Sequence, residues 1–280
     1  MTNKKILFAF LMPLMFSTAV MAQKGEKIKG NRNVITKQTD IDAFHTIALD
    51  EDFEVEIIYN KNPSVEIETD ENLHDVIEFQ VRDSVLTFNK NMRIVSKKRL
   101  NIRVAYNHIF RHIKVSDDAE INSLTTVDLQ NGTLKTIGSS KAALTITTNS
   151  FNFESSEKSK VKLNLTAESC SINMFGNSKL EALINAPNIK ASLFQRADAN
   201  VEGVSKTADI DLDNNARFNG KNLTISTCNI ICEINSDAYL EVLDDITIEA
   251  AGSSSIYLYE NPKIIINKLT DTSKLQKKVK

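Results

Sequence analysis

The stretch SKVKL at residues 159–163 recurs 19 residues later as SKLEA at 178–182, and after another 19 residues as ADANV at 197–201. In each copy a small residue precedes alternating polar and apolar positions. Alternation with a period of two indicates a strand that buries one of its faces. A fixed period of about 19 residues predicts that one short β unit is repeated along the chain.

The repeat can be followed from about residue 119 to the C-terminal region. Its small first positions have spacings of 21, 19, 19, 19, 19, 22 and 16, and they are Ala119, Ser140, Ser159, Ser178, Ala197, Ala216, Ala238 and Ser254. Two positions later every copy has an apolar residue, namely Ile121, Ala142, Val161, Leu180, Ala199, Phe218, Leu240 and Ile256. A second alternating strand precedes each small residue. The polar corners between the strands are Gly176-Asn177, Gln195-Arg196, Asn214-Asn215 and Ser236-Asp237, and Gly, Asn and Asp tolerate the positive φ that a sharp corner needs.

One such unit cannot bury its apolar face alone, but units stacked at about 4.8 Å pair each strand with its counterparts above and below. The sequence therefore predicts an all-β fold, a right-handed parallel β-helix (solenoid) with turns of about 19 residues. The right hand is expected because parallel crossovers almost always have it. A β-sandwich would also explain the alternation, but not four consecutive spacings of 19.

The region before the repeats is also predicted to be β, but it is less regular. Phe53–Ile57 and Val65–Glu68 alternate on either side of Asn60-Lys61-Asn62-Pro63, which predicts a hairpin. Glu78–Asn89 show the same pattern around Arg82-Asp83-Ser84. Leu100–Tyr106 predicts another strand, and Glu71–Ile77 a short helical turn.

These patterns predict the organisation of the chain. We expect residues 41–118 to form a cap or long turns of the same stack, since an exposed solenoid end invites edge-to-edge association. Residues 119–266 carry the β-helix repeats, and Ile264–Ile266 are expected to close the far end. Residues 23–40 are expected to be a linker, and residues 267–280 a basic C-terminal tail.

Residues 1–22 have the pattern of a signal peptide. Lys4 and Lys5 precede an apolar run over Ile6–Val20, and Val20-Met21-Ala22 resembles a signal-peptidase site. We therefore expect export to the periplasm, the cell surface or the medium. No later apolar stretch is long enough to predict a membrane span, and a net charge of −2 gives no strong reason to expect a nucleic-acid partner.

The three cysteines are expected to remain unpaired. The repeat places Cys170 and Cys232 three turns apart, which is about 14 Å at β spacing and beyond the ~7 Å reach of a disulfide. Cys228 and Cys232 lie on one strand, about 13 Å apart if it is extended. We expect Cys170 and Cys232 to be small members of the apolar core.

An acidic strand carries the residues most like those of an active site. Asp209, Asp211 and Asp213 point outward, and Glu233 is expected beside Asp211 on the next turn. Such carboxylates can bind Ca²⁺ or act as the acid and base of a glycosidase. No aromatic platform or basic residue is expected to converge there, so a solvated acidic face is the favoured interpretation, and calcium binding is left open.

Two other pairs of residues are candidates for a site. His108 and His112 would share a metal ion only on a helix, whereas the alternation nearby predicts a strand. Phe175 and Phe194 occupy equivalent corners on adjacent turns, where they are expected to stack, or alternatively to form an aromatic ladder for a glycan or protein. The sequence therefore predicts no catalytic, metal-binding or cofactor-binding residues and no cofactor.

The pattern resembles the putative auto-transporter adhesin, head GIN domain family of bacterial envelope proteins. The resemblance spans about residues 30–266, and the stretches that carry it are Asp42–Ile47, Phe53–Ile57, Val81–Phe88 and Gly252–Pro262, together with the repeated small-residue corners. Members are typically richer in glycine at the corners, where this chain often has Asn, Ser or Asp. The resemblance implies an exported β-helical protein, and the family supplies no catalytic residues.

These observations favour a non-enzymatic protein of the cell envelope or surface, an adhesin-like module that binds an unknown protein or glycan. Two alternatives remain. One is a carbohydrate-active β-helix enzyme that uses the outward carboxylates near Asp211, and the other is a structural solenoid that assembles end to end. The oligomeric state does not follow from the sequence.

Overall fold

Strands make up most of the chain in the computed structural model, which describes residues 26–279. The strands, in chain order, are β1 (Lys27–Lys29), β2 (Val34–Asp40), β3 (Thr46–Leu49), β4 (Glu54–Tyr59), β5 (Ser64–Asp70), β6 (Ile77–Arg82), β7 (Val85–Lys90), β8 (Arg93–Ser96), β9 (Leu100–Tyr106), β10 (His112–Val115), β11 (Glu120–Ser123), β12 (Val127–Asp128), β13 (Asn131–Thr136), β14 (Lys141–Ser155), β15 (Lys160–Met174), β16 (Lys179–Asn185), β17 (Asn188–Phe194), β18 (Asp198–Asp213), β19 (Arg217–Cys232), β20 (Asp237–Ala250), β21 (Ser255–Tyr259), β22 (Lys263–Leu269) and β23 (Lys274–Lys277). Within this range the helical structure is one 3₁₀ turn, Glu71–Leu73. The predicted signal peptide, residues 1–22, lies outside the described residues.

The strands stack as parallel coils, about nine turns of about 19 residues each. Two ladders of paired strands run the length of the stack. Ladder 1 has the order β6-β7-β3-β10-β13-β14-β15-β17-β18-β19-β20-β22. Ladder 2 has the order β2-β5-β9-β4-β11-β14-β15-β16-β18-β19-β20-β21-β23. The long strands β14, β15, β18, β19 and β20 contribute to both ladders, so the predicted solenoid is confirmed.

Inward side chains form columns that run along the stack. Leu180 pairs with Ala199, and Ala199 pairs with Phe218, so these three residues lie in successive coils as the repeat predicts. All three are buried and belong to one core cluster that extends from Phe44 to Leu258. Because each coil buries its apolar face against the coils on either side, the core is continuous along the stack.

The predicted register is wrong in one coil. The amides of Asp237 and Ser255 donate to the carbonyl oxygens of Ala216 and Ser236, so Ser236 occupies the position assigned to Ala238. Ala238 instead pairs with Phe218. The positive φ angles of Ile234 and Asn235 place the corner two residues earlier than Ser236-Asp237. Bulges in the ladders that β19 forms with β18 and with β20 change the spacing, which an alignment on small residues cannot detect.

The N-terminal strands confirm one predicted hairpin and contradict the other. β6 and β7 form an antiparallel hairpin, with positive φ at Asp83 and Ser84 in its turn. β4 and β5 do not pair as a hairpin, because β9 lies between them, parallel to β4 and antiparallel to β5. Leu100–Tyr106 is a strand as predicted.

The two ends of the described chain are also built from strands. Residues 27–29 and 34–40, within the expected linker, form β1 and β2, and β2 pairs with β5. Part of the expected basic tail belongs to the final coil, because β23 pairs with β21. Ile264–Ile266, which were expected to close the far end, lie on β22 and are exposed. Ile264 and Ile266 continue the inward columns without covering them, and Ile265 points outward.

Candidate ligand-binding face

The outer face of ladder 1 carries two adjacent columns of polar side chains, most of which are short and uncharged. The first column is Asn131, Ser150, Ser169, Asn188 and Thr207. The second is Thr133, Asn152, Ser171, Lys190 and Asp209. With Arg111 and His112 at one end, these residues line a groove of about 500 Å³, which we call the polar groove.

Side chains of neighbouring coils hydrogen-bond along the polar groove. Ser150 Oγ donates to Asn131 Oδ1 at 2.7 Å, and Thr207 Oγ1 donates to Asn188 Oδ1 at 2.9 Å. The half-buried Asn152 makes no side-chain hydrogen bond to any of residues 26–279. Its amide therefore offers both a donor and an acceptor to a ligand.

Two histidines lie at the N-terminal end of the polar groove. The His112 ring packs edge-on against that of His45, with 5.8 Å between centroids, and His112 Nδ1 lies 2.8 Å from Thr133 Oγ1. Burial, together with the nearby His45, lowers the pKa of His112 below its usual 6.5. His108 lies in the turn before β10, so it does not share a helix face with His112. Across residues 26–279, no three His, Cys, Asp or Glu side chains are grouped to hold a metal ion.

The three aspartates extend the same face from the polar groove toward the next corner. Asp209 accepts a hydrogen bond from Asn229 Nδ2 at 2.8 Å. Burial raises the pKa of Asp211, and the charges of Asp213 and Glu233 raise it further. One oxygen of Asp213, Oδ1, is buried without a hydrogen-bond partner in the described part of the chain.

Two predictions about this acidic strand are wrong. Ile231 pairs with Asp211, and because Leu212 pairs with Cys232, Glu233 follows beside Asp213. The cause is the same two-residue shift that moves the corner of this coil. Aromatic and basic groups also adjoin the acidic strand, since Phe194 pairs with Asp213 and Lys190 with Asp209.

The predicted stack of Phe175 and Phe194 is confirmed. Their rings lie 5.3 Å apart at an interplanar angle of 13°. Phe175 is 44% exposed, so the stack presents an aromatic surface to solvent. Phe194 stands four residues beyond Lys190 on β17, about 13 Å from the polar groove at strand spacing.

The cysteines are free and lie in the core. Cys170 and Cys232 are buried as predicted, and Cys228 is buried as well. The observed register places Cys170 and Cys228 in one column, separated by Ile189 and Ala208. Burial raises the pKa of each thiol to about 12, so these groups are not nucleophiles at neutral pH.

The stacked coils and the polar outer face define a parallel β-solenoid of the kind that displays repeated side chains along a rigid surface. The chain belongs to the family described as putative auto-transporter adhesin, head GIN domain, whose model matches residues 43–183 and 150–262. The resemblance found in the sequence is thereby confirmed. No curated protein matches the chain significantly.

Solved structures share this fold. A putative adhesin from Parabacteroides distasonis has a TM-score of 0.65 at 16% identity, with 90% of this chain and 100% of that chain covered. A putative adhesin from Parabacteroides merdae has a TM-score of 0.62 at 16% identity, with 90% and 99% covered. A protein from P. distasonis described as a putative lipid binding protein has a TM-score of 0.60 at 17% identity, with 90% and 99% covered. Among residues 26–279, no helix has the length and apolar character needed to cross a membrane.

Proposed function

We propose that the protein is an exported, non-enzymatic binding module of the cell envelope, and that the polar groove of ladder 1 binds an extended, largely uncharged polysaccharide. The observation that carries the proposal is the pair of polar columns, which repeat hydroxyl and amide groups from coil to coil. The family and two of the structural neighbours are named for adhesion, which supports a role in binding.

The chemistry of the groove suits a neutral polymer. Hydroxyl and amide side chains donate and accept hydrogen bonds without a net charge, as sugar hydroxyls do. Coils repeat every 4.7–4.9 Å or so, so an extended ligand meets the same groups several times. The Phe175–Phe194 stack offers an apolar surface at the side of the same face, where the apolar side of a sugar ring can pack.

Binding to a glycan panel tests this proposal, followed by titration calorimetry with the best ligand. Asn152→Ala removes one groove amide and should weaken binding by about 3- to 10-fold, the value of one hydrogen bond. Asn164→Ala is the matched control, because Asn164 is an exposed asparagine on the part of β15 that belongs to ladder 2. Absence of binding to every glycan, or a larger loss in the control than in Asn152→Ala, would contradict the proposal.

A second candidate function is glycoside hydrolysis at the acidic strand. It is favoured by the raised pKa of Asp211, a property expected of a general acid, and by successive outward aspartates spaced about 6.6 Å along the strand. Release of reducing sugar ends from a bound glycan, abolished in Asp211→Asn, would establish this function. Binding without any release would leave the non-enzymatic module as the function.

A further inference from the structure

Among residues 26–279, the core of the solenoid is left open at its C-terminal end. β22 pairs with β20 and β23 pairs with β21, while the outer edges of both strands are unpaired within residues 26–279. Ile264 and Ile266 continue the inward columns of the buried Ile246 and Ile248, yet they are 44% and 48% exposed. The neighbouring Ile265 adds an outward apolar side chain that is 41% exposed. We call residues 263–279 the open end.

The opposite end of the stack is covered. β7 and β9 lie against the first coil, and the antiparallel strands β6, β5 and β2 continue beyond them. Phe53 and Phe88 are buried in this cap, with their ring centroids 5.6 Å apart. None of the large apolar side chains of β2, β5 and β6 is exposed, whereas Ile264 and Ile266 at the other end of the described stack are.

Charge distinguishes the open end from the rest of the molecule. Residues 263–279 contain five lysines (263, 268, 274, 277 and 278) and one acid, Asp271. Residues 26–262 contain 25 Lys and Arg against 35 Asp and Glu. Within residues 26–279, Lys263, Lys274 and Lys277 form no ion pair, so their charges are available to a partner.

We propose that the open end docks end-on against the surface of a membrane that contains anionic phospholipids. Exposed apolar side chains beside a group of lysines are the combination that binds such an interface, where the apolar groups enter the acyl boundary and the lysines meet the headgroups. A second copy of the chain would bind the open end less well. In a twofold contact the same lysines of the two copies would face one another, and their like charges would repel. A soluble polyanion would satisfy the lysines but leave Ile264–Ile266 in water.

Sedimentation of the purified protein with lipid vesicles tests this inference. Binding is expected to vesicles of phosphatidylglycerol and phosphatidylethanolamine, with little binding to phosphatidylcholine alone. Each lysine at an anionic surface contributes about fivefold to the affinity, so the triple variant Lys263→Glu, Lys274→Glu, Lys277→Glu should bind at least tenfold more weakly. The matched control is Lys158→Glu, Lys160→Glu, Lys179→Glu, which makes the same charge change at exposed positions in the middle of the stack and should bind more tightly than the first triple variant.

The apolar contribution is tested separately with Ile265→Asn. Ile265 points outward beside Thr247, so the substitution leaves the inward columns intact and should weaken vesicle binding several-fold. Leu183→Asn, at a similarly exposed residue of β16, is the control and should bind as the wild type does.

Any of four results would overturn the inference. The first three are no binding to anionic vesicles, equal losses of affinity in the two triple variants, and an unchanged affinity in Ile265→Asn. The fourth is a wild-type protein that does not bind vesicles but forms a dimer, which Ile265→Asn dissociates. Circular dichroism of every variant confirms that the coils are intact. Because glycan binding is assigned to the outer face of ladder 1, failure here would not affect the glycan test.

Discussion

The small residues that begin each repeat form a buried column in which matched serines differ in hydrogen bonding. Ser178 is completely buried, and its Oγ has no hydrogen-bond partner among residues 26–279. In the adjacent coil Ser159 is equally buried, but its Oγ donates to the Ser156 carbonyl oxygen at 2.9 Å and lies 2.6 Å from Ser155 Oγ. The next residue of the column, Ala197, fills the equivalent position with a methyl group alone.

Ser178→Ala should therefore stabilise the protein. An unsatisfied buried hydroxyl costs about 1–3 kcal/mol, and loss of the packing contacts of one oxygen offsets part of that gain. We expect the free energy of unfolding to rise by about 1 kcal/mol. Ser159→Ala should lower it by about 1 kcal/mol, because the substitution removes a satisfied hydroxyl and leaves its neighbours with fewer partners.

Urea unfolding followed by circular dichroism measures both variants. The comparison uses the shift in midpoint at constant m value, since a changed m would indicate that the coils no longer unfold as one unit. The two variants should differ by about 2 kcal/mol with opposite signs. If Ser178→Ala loses stability as Ser159→Ala does, the Ser178 hydroxyl is hydrogen-bonded in solution and the reasoning fails.

Two other predictions follow from the core. Phe218→Ala should lower the free energy of unfolding by about 3–5 kcal/mol, because it leaves a cavity in a fully buried column. Phe175 is 44% exposed, so Phe175→Ala should lower the free energy of unfolding by well under half as much in the same urea assay. Because burial raises the pKa of Cys170, Cys228 and Cys232 to about 12, their thiols should not react with a thiol-specific reagent at pH 8 until denaturant is added. Rapid labelling of the native protein would show that the coils open locally.

The regular coils were predictable from the sequence because each inward position is constrained by the coils above and below it. Leu180, Ala199 and Phe218 follow the 19-residue spacing and occupy successive layers. The 19-residue spacing predicts the wrong register where a ladder contains a bulge, because a bulge adds residues but leaves the types of residue in each column unchanged. Ala238 is as small as Ser236, so composition alone could not choose between them.

The N-terminal strands were predictable one at a time, but their pairing was not. The β6–β7 hairpin is local, and its turn residues Asp83 and Ser84 adopt the positive φ that such turns require. The pairing of β9 with both β4 and β5 is non-local, since 30 or more residues separate the paired positions. Alternation identifies a strand, but it carries no information about a distant partner.

The first column of the polar groove follows the same 19-residue period as the core. Asn131, Ser150, Ser169, Asn188 and Thr207 are each 19 residues apart, so they must share an outward column once the register is known. Inward columns are limited to residues that pack, whereas outward columns can change without loss of the fold. It follows that a solenoid of this kind can keep one core and acquire a new specificity by substitutions confined to one outward column. The uncharged stretch of the polar groove between Arg111 and Lys190 is where we expect such specificity to lie.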